Sequence, residues 1–173
     1  MKIAAVSLGC DKNRVDLENM LYILKDSGYI LTPGAEDADV IIINTCGFIE
    51  KAKREAIDTI SEMLDYKAKG KKLIVTGCMA QRYADELKEG FPEVDAIVGI
   101  NANNSIAEIL KQLSEETIVV KMEKEREFLT GRILTTPQHY AYLRIADGCD
   151  NRCTYCAIPY IRGKYRSVEM EKV

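Results

Sequence analysis

The chain has 173 residues, 47% of them hydrophobic and 29% charged, which is enough apolar material for one core and part of a second unit. A net charge of −3 excludes a protein that grips nucleic acid by charge alone, so direct nucleic-acid binding is not expected. No apolar run approaches the roughly 18 residues of a membrane helix. The opening MKIAAVSLGCDKN is too short and too soon charged for a secretory leader. Six cysteines without such a leader point to metal or redox chemistry in the cytoplasm, not to a disulfide scaffold.

In chain order, IAAVSL (3–8) reads as a strand, 15–27 as a helix with Leu17, Leu21 and Leu24 on one face, and 29–31 as a short, weak strand. VIIIN (40–44) is the next strand. A helix over 49–69 should bury Ile57, Ile60 and Leu64 and expose Lys51, Lys53, Glu55 and Asp58. LIVT (73–76), a helix over 81–89, AIVG (96–99), a helix over 105–113 and a last apolar run over 117–120 complete the series. Gly28, Gly70 and Gly90 stand where helices should stop. Continuous β-branched strands alternating with amphipathic helices predict an α/β fold: a doubly wound, mostly parallel sheet with helices on both faces.

Residues 1–122 form this first domain. A charged stretch followed by Gly131 and Pro137 marks a linker over 123–138. YAYLRIADG (140–148) then reads as the first strand of a second unit over 139–173. Fewer than 40 residues follow the linker, too few for a core of their own, so a fragment of a longer protein is expected.

Three cysteines take matching places. Cys10 follows the strand that ends at Leu8 and Gly9, Cys46 follows Asn44 and Thr45, and Cys78 follows Thr76 and Gly77. All three belong at the carboxyl edge of the sheet, where open α/β folds bind ligands. In a flavodoxin-like order, 2-1-3-4-5, their strands are direct neighbours about 4.8 Å apart. Outer Cα atoms roughly 10 Å apart suit a cubane cluster better than a single zinc, which wants a tighter cage and a fourth ligand. Helix N-termini nearby would favour thiolates. The competing reading is three small buried hydrophobes.

Cys149, Cys153 and Cys156 form C-D-N-R-C-T-Y-C. Three thiolates within one loop can hold a [4Fe–4S] cluster and leave one iron open. A zinc loop is the alternative, though no matching fourth ligand is in sight; His139, the sole histidine, lies upstream and reads as a surface residue.

CxxxCxxC after a first barrel strand resembles the cluster loop of radical S-adenosylmethionine (SAM) enzymes. The segments LGCDKNRVD, NTCGFIEKAKREAIDTI, TGCMAQRY and RIADGCDNRCTYCAIPYIRGKYRS are similar to the methylthiotransferase branch of that superfamily. The resemblance implies two [4Fe–4S] clusters and SAM as cofactors. Cys149, Cys153 and Cys156 would hold the SAM-cleaving cluster, Cys10, Cys46 and Cys78 an auxiliary cluster that carries sulfur, and Tyr155 would lie near the adenine of SAM. It implies a truncated (β/α) barrel after the linker, the rest of that barrel and a small β-barrel called TRAM being absent here, so the piece alone should not turn over. It also implies an electron donor such as flavodoxin or ferredoxin. CDKN, CGFIEKAKREAIDTI and CMAQRY resemble the sub-branch that methylthiolates the β-carbon of an aspartate in small-subunit ribosomal protein twelve; the sub-branch acting on tRNA adenosine is the alternative. A non-catalytic two-cluster carrier is a further one.

Lys12, Asn13, Gln81 and Arg82 adjoin these cysteines and read either as hydrogen-bond donors to a cluster or a docked substrate, or as caps and surface groups. Glu50, Lys51, Lys53, Arg54 and Glu55 read as a solvated helix face. Arg162, Lys164 and Arg166 read as a basic run in a loop or as a contact for a phosphate or carboxylate. No G-x-G-x-x-G or P-loop pattern occurs.

Overall fold

The computed structural model describes residues 1–113, 116–121 and 127–173. Six strands form one parallel sheet: β1 (Lys2–Ser7), β2 (Ile30–Leu31), β3 (Val40–Thr45), β4 (Lys72–Gly77), β5 (Ala96–Gly99) and β6 (Ile118–Val120). Their order is β2-β1-β3-β4-β5-β6, which places the three strands that lead to cysteines side by side. The expected order therefore holds and gains β6 at its edge.

The β-branched runs form strands because both faces of each are covered. Along β3 every residue is buried, and the alternation of the pleat sends Ile42 to one side and Ile41 and Ile43 to the other. Ile42 meets Leu17, Leu21 and Leu24 of α1 (Asp11–Asp26) together with Ile106 and Leu110 of α5 (Ile106–Lys111). Ile41 and Ile43 meet Ala56 and Ile60 of α2 (Glu50–Lys67), Ala80 of α3 (Cys78–Arg82) and Leu87 of α4 (Ala84–Gly90).

The helices differ from expectation in three places. α2 turns Ala52, Ala56 and Ile60 to the sheet and leaves Ile57 exposed, because the small alanines let the helix approach closely. The helix expected over 81–89 begins earlier, at Cys78, and breaks at Tyr83, whose backbone (φ −127°, ψ 41°) leaves the helical region. A 3₁₀ segment, Ile100–Ser105, precedes α5.

The largest correction concerns the barrel strand. Of 140–148 only β7 (Ala146–Asp147) pairs, and it pairs antiparallel with β8 (Arg166–Ser167), not in a parallel barrel. Leu143 and Ile145 are exposed, and among the described residues no strand pairs with 140–145 beyond the single bond from the Val168 N–H to the Ile145 carbonyl. The linker expected over 123–138 begins in residues outside those described, but its later part is strapped along α1. Ile133 donates its N–H to the Glu18 carbonyl, Asn19 donates to the Gly131 carbonyl, and Arg132 pairs with the buried Glu18 carboxylate at 3.1 Å. The same carboxylate accepts from the backbone and hydroxyl of Thr135. Among the described residues no helix is long and apolar enough to cross a membrane.

Candidate functional site

The strand register sets the first cysteine trio. Ser7, Asn44 and Thr76 form one row across β1, β3 and β4, and the chain leaves the sheet just beyond it. Cys10, Cys46 and Cys78 follow at once, so all three leave from the carboxyl edge. Cys10 is exposed and caps α1; Cys46 and Cys78 are buried. Close approach needs glycine. At Gly9 (φ +90°) an added Cβ would stand 2.6 Å from the Cys46 Cβ and 3.1 Å from its Sγ, so a side chain there would displace Cys46.

Asn13 ties the three strand ends together. Its Nδ2 donates to the carbonyls of Leu8 (3.0 Å) and Thr45 (2.8 Å), and its Oδ1 accepts from the Cys78 thiol at 3.2 Å. Asn44 in turn donates to the Asn13 carbonyl, and the Thr45 hydroxyl to the Thr76 carbonyl. A residue that reads equally as a helix cap is thus fully buried at the centre of the edge.

Helix N-termini were expected to favour thiolates. At Cys78 burial outweighs that effect and pushes the thiol up to about 11. The Arg162 guanidinium opposes the rise, while Asp16, Cys46 and Cys10 add to it, which places both other cysteines within electrostatic reach.

The second trio lies on the loop between β7 and α6 (Ile158–Arg162). Cys149 donates its N–H to the Gly163 carbonyl, Cys156 donates to the Cys153 carbonyl, and Arg152 takes a left-handed φ of 48° that turns the loop. Tyr155 is 88% exposed. His139 is exposed and meets the ring of Tyr140 edge-on.

The two trios are not remote. Ala157 and Ile161 pack on Cys78 and Ile100, and Arg162 is buried between the two units. Its guanidinium reaches Asp16 at 3.0 Å, Asn13 at 3.0 Å, Asp147 at 3.1 Å and the Cys78 sulfur at 3.8 Å. Arg144 also pairs with Asp16, and Lys12 with Asp147 at 3.4 Å. Burial alone would lower the Arg162 pKa; Asp16 and Asp147 overcome it and hold the group charged. Arg162 is therefore neither a solvated loop residue nor an open anion site, and its role has no signature in a basic run.

Among the described residues no three His, Cys, Asp or Glu side chains close into a metal cage. What the edge provides is three soft sulfur donors at adjacent strand ends with no histidine beside them, and the loop provides three more. That donor chemistry fits iron–sulfur clusters and suits hard cations such as magnesium poorly.

Fold and site together define an α/β protein of flavodoxin-like strand order whose ligand edge is lined by thiols. Residues 2–99, from β1 through β5, match the family described as Uncharacterized protein family UPF0004, and the chain belongs to that family. Over its whole length it is 51% identical to the protein named ribosomal protein uS12 methylthiotransferase RimO of Clostridium tetani. It is 52% identical to the protein of the same name in Clostridioides difficile, again over its whole length, and 50% identical over 99% of the chain to that of Acetivibrio thermocellus. The chain spans about 40% of the length of these relatives. Among solved structures, the cobalamin-dependent S-adenosylmethionine radical enzyme OxsB superposes with a TM-score of 0.54 at 13% identity, over 99% of this chain and 30% of that one, a likeness of fold.

Proposed function

We propose that the chain is the N-terminal part of a radical SAM methylthiotransferase that modifies an aspartate β-carbon in small-subunit ribosomal protein uS12. The observation that carries the reading is the pairing of two cysteine trios, one at the carboxyl edge of the sheet and one on a loop whose following residues, Ala157 and Ile161, pack against that edge. Near-50% identity to proteins named for that activity supports it.

In this reading Cys10, Cys46 and Cys78 hold one [4Fe–4S] cluster and Cys149, Cys153 and Cys156 the other, with Tyr155 beside SAM. When bound, such clusters supply one-electron reduction of SAM and a source of sulfur, a route to an unactivated C–H bond that acid–base side chains lack. The chain's own residues do the positioning. Gly9 and Gly77 let the strand ends close up, Asn13 fixes their spacing, and burial of Cys46 and Cys78 keeps water from the sulfur side of the edge. An electron donor of the flavodoxin or ferredoxin kind serves the complete enzyme in the cytoplasm.

Deleting the gene for the full-length protein and weighing uS12 by mass spectrometry tests the proposal. The aspartate should lose its methylthio group. Persistence of that group, or loss of methylthio from tRNA adenosine in its place, contradicts the assignment.

A further inference from the structure

The geometry points to Arg162 as the positioning residue that docks the second cysteine loop onto the cysteine edge of the sheet, bridging Asp147 on the loop side to Asp16, Asn13 and Cys78 on the sheet side. Arg162 lies six residues past Cys156, and Asp147 two residues before Cys149. One guanidinium thus contacts residues close to both trios. Its NH1 donates to Asp147, and its NH2 serves Asp16, Asn13 and Cys78 together. A planar fork with several fixed donors can do this; an ammonium cannot reach all four groups at once.

The apolar half of the contact is generic. Ala157 and Ile161 cover Cys78 and Ile100 but fix no orientation. The buried charges do, since a displaced Arg162 would leave Asp16 and Asp147 without their shared cation in a water-poor site. Arg162 therefore sets the spacing between the loop that bears Cys149, Cys153 and Cys156 and the edge that bears Cys10, Cys46 and Cys78. The consequence for catalysis rests on the proposed function; the docking itself does not.

Alkylation of the reduced, metal-free chain reads the docking directly. Under native conditions iodoacetamide should modify the covered Cys78 slowly, as followed peptide by peptide by mass spectrometry. Arg162→Met should accelerate Cys78 by roughly a hundredfold and leave Cys46, buried at the same edge, at its original rate. Removing a nearby cation would by itself slow the thiol, so acceleration reports uncovering. Arg162→Lys should recover part of the protection. Asp147→Asn, which breaks the bridge on the loop side alone, should reproduce the selective acceleration. An unchanged Cys78 rate in Arg162→Met, or Cys46 rising in step with Cys78 in both Arg162→Met and Asp147→Asn, overturns the assignment. Because no cluster is involved, a chain that fails to assemble clusters would still give a clear answer.

Discussion

Asp16→Ala is expected to release the 144–163 segment from α1 and raise hydrogen exchange at the amides of Ile161 and Gly163 by about two orders of magnitude. Both amides are held inside α6, by the carbonyls of Ala157 and Pro159. Asp16 is fully buried and serves two guanidiniums, Arg144 and Arg162, each nearly covered. Removing one partner of a buried pair costs about 3 to 5 kcal/mol, because the remaining charge stays desolvated without compensation. Here two cations lose their common anion. The cheapest escape is for the segment that carries them to swing into water, since few apolar residues, chiefly Ala157 and Ile161, hold it otherwise. The loss is therefore local. Amides of β3 and β4, paired on both sides, should keep their protection. Asp16→Asn, which retains hydrogen-bond acceptance but not charge, should fall between.

Gly77→Ala should destabilise the whole sheet by roughly 3 kcal/mol, combining backbone strain with overpacking. Gly77 adopts φ +96° and ψ −160°, a region closed to residues with a Cβ. The added methyl would also stand 2.3 Å from the Thr45 carbonyl oxygen and 2.7 Å from the Thr45 nitrogen, both backbone atoms that cannot yield without parting β3 from β4. For a chain of this size the melting temperature should drop by about 10 °C. The same shift would separate Cys46 from Cys78, so the variant should also hold less iron after reconstitution. A melting curve unchanged from the parent would mean that the strand ends tolerate the separation.

The sheet was readable because its strands are buried on both faces. A strand such as VIIIN suits four consecutive apolar residues to a core on both faces, and Gly9, Thr45 and Gly77, one before each cysteine of the first trio, mark the point where the sheet ends. The first cysteine trio was readable for the same reason, since its members follow recognisable strands at matching places; the second was read from its own close spacing, Cys149, Cys153 and Cys156. The buried polar face of α1 was not readable. Asn13, Asp16, Glu18 and Asn19 look like a solvated stripe, yet all four are covered. Their partners, Arg132, Arg144 and Arg162, lie more than 110 residues downstream, and pairing at that separation leaves no periodic trace in either segment. The apolar run 140–148 misled in the opposite sense. Its pattern predicts a strand, but a strand forms only where a neighbour supplies hydrogen bonds, and among the described residues β8 pairs with Ala146 and Asp147, with one further bond from Val168 to Ile145.

Iron and acid-labile sulfide, counted after anaerobic reconstitution, test the central claim that the six thiols work as two separate sets. The chain should take up about eight irons and eight sulfides, and each of two triple variants, Cys10→Ala with Cys46→Ala and Cys78→Ala, and Cys149→Ala with Cys153→Ala and Cys156→Ala, should retain about four of each. A single triple variant that abolishes all iron, or a parent chain that takes up zinc and no sulfide, would contradict the account.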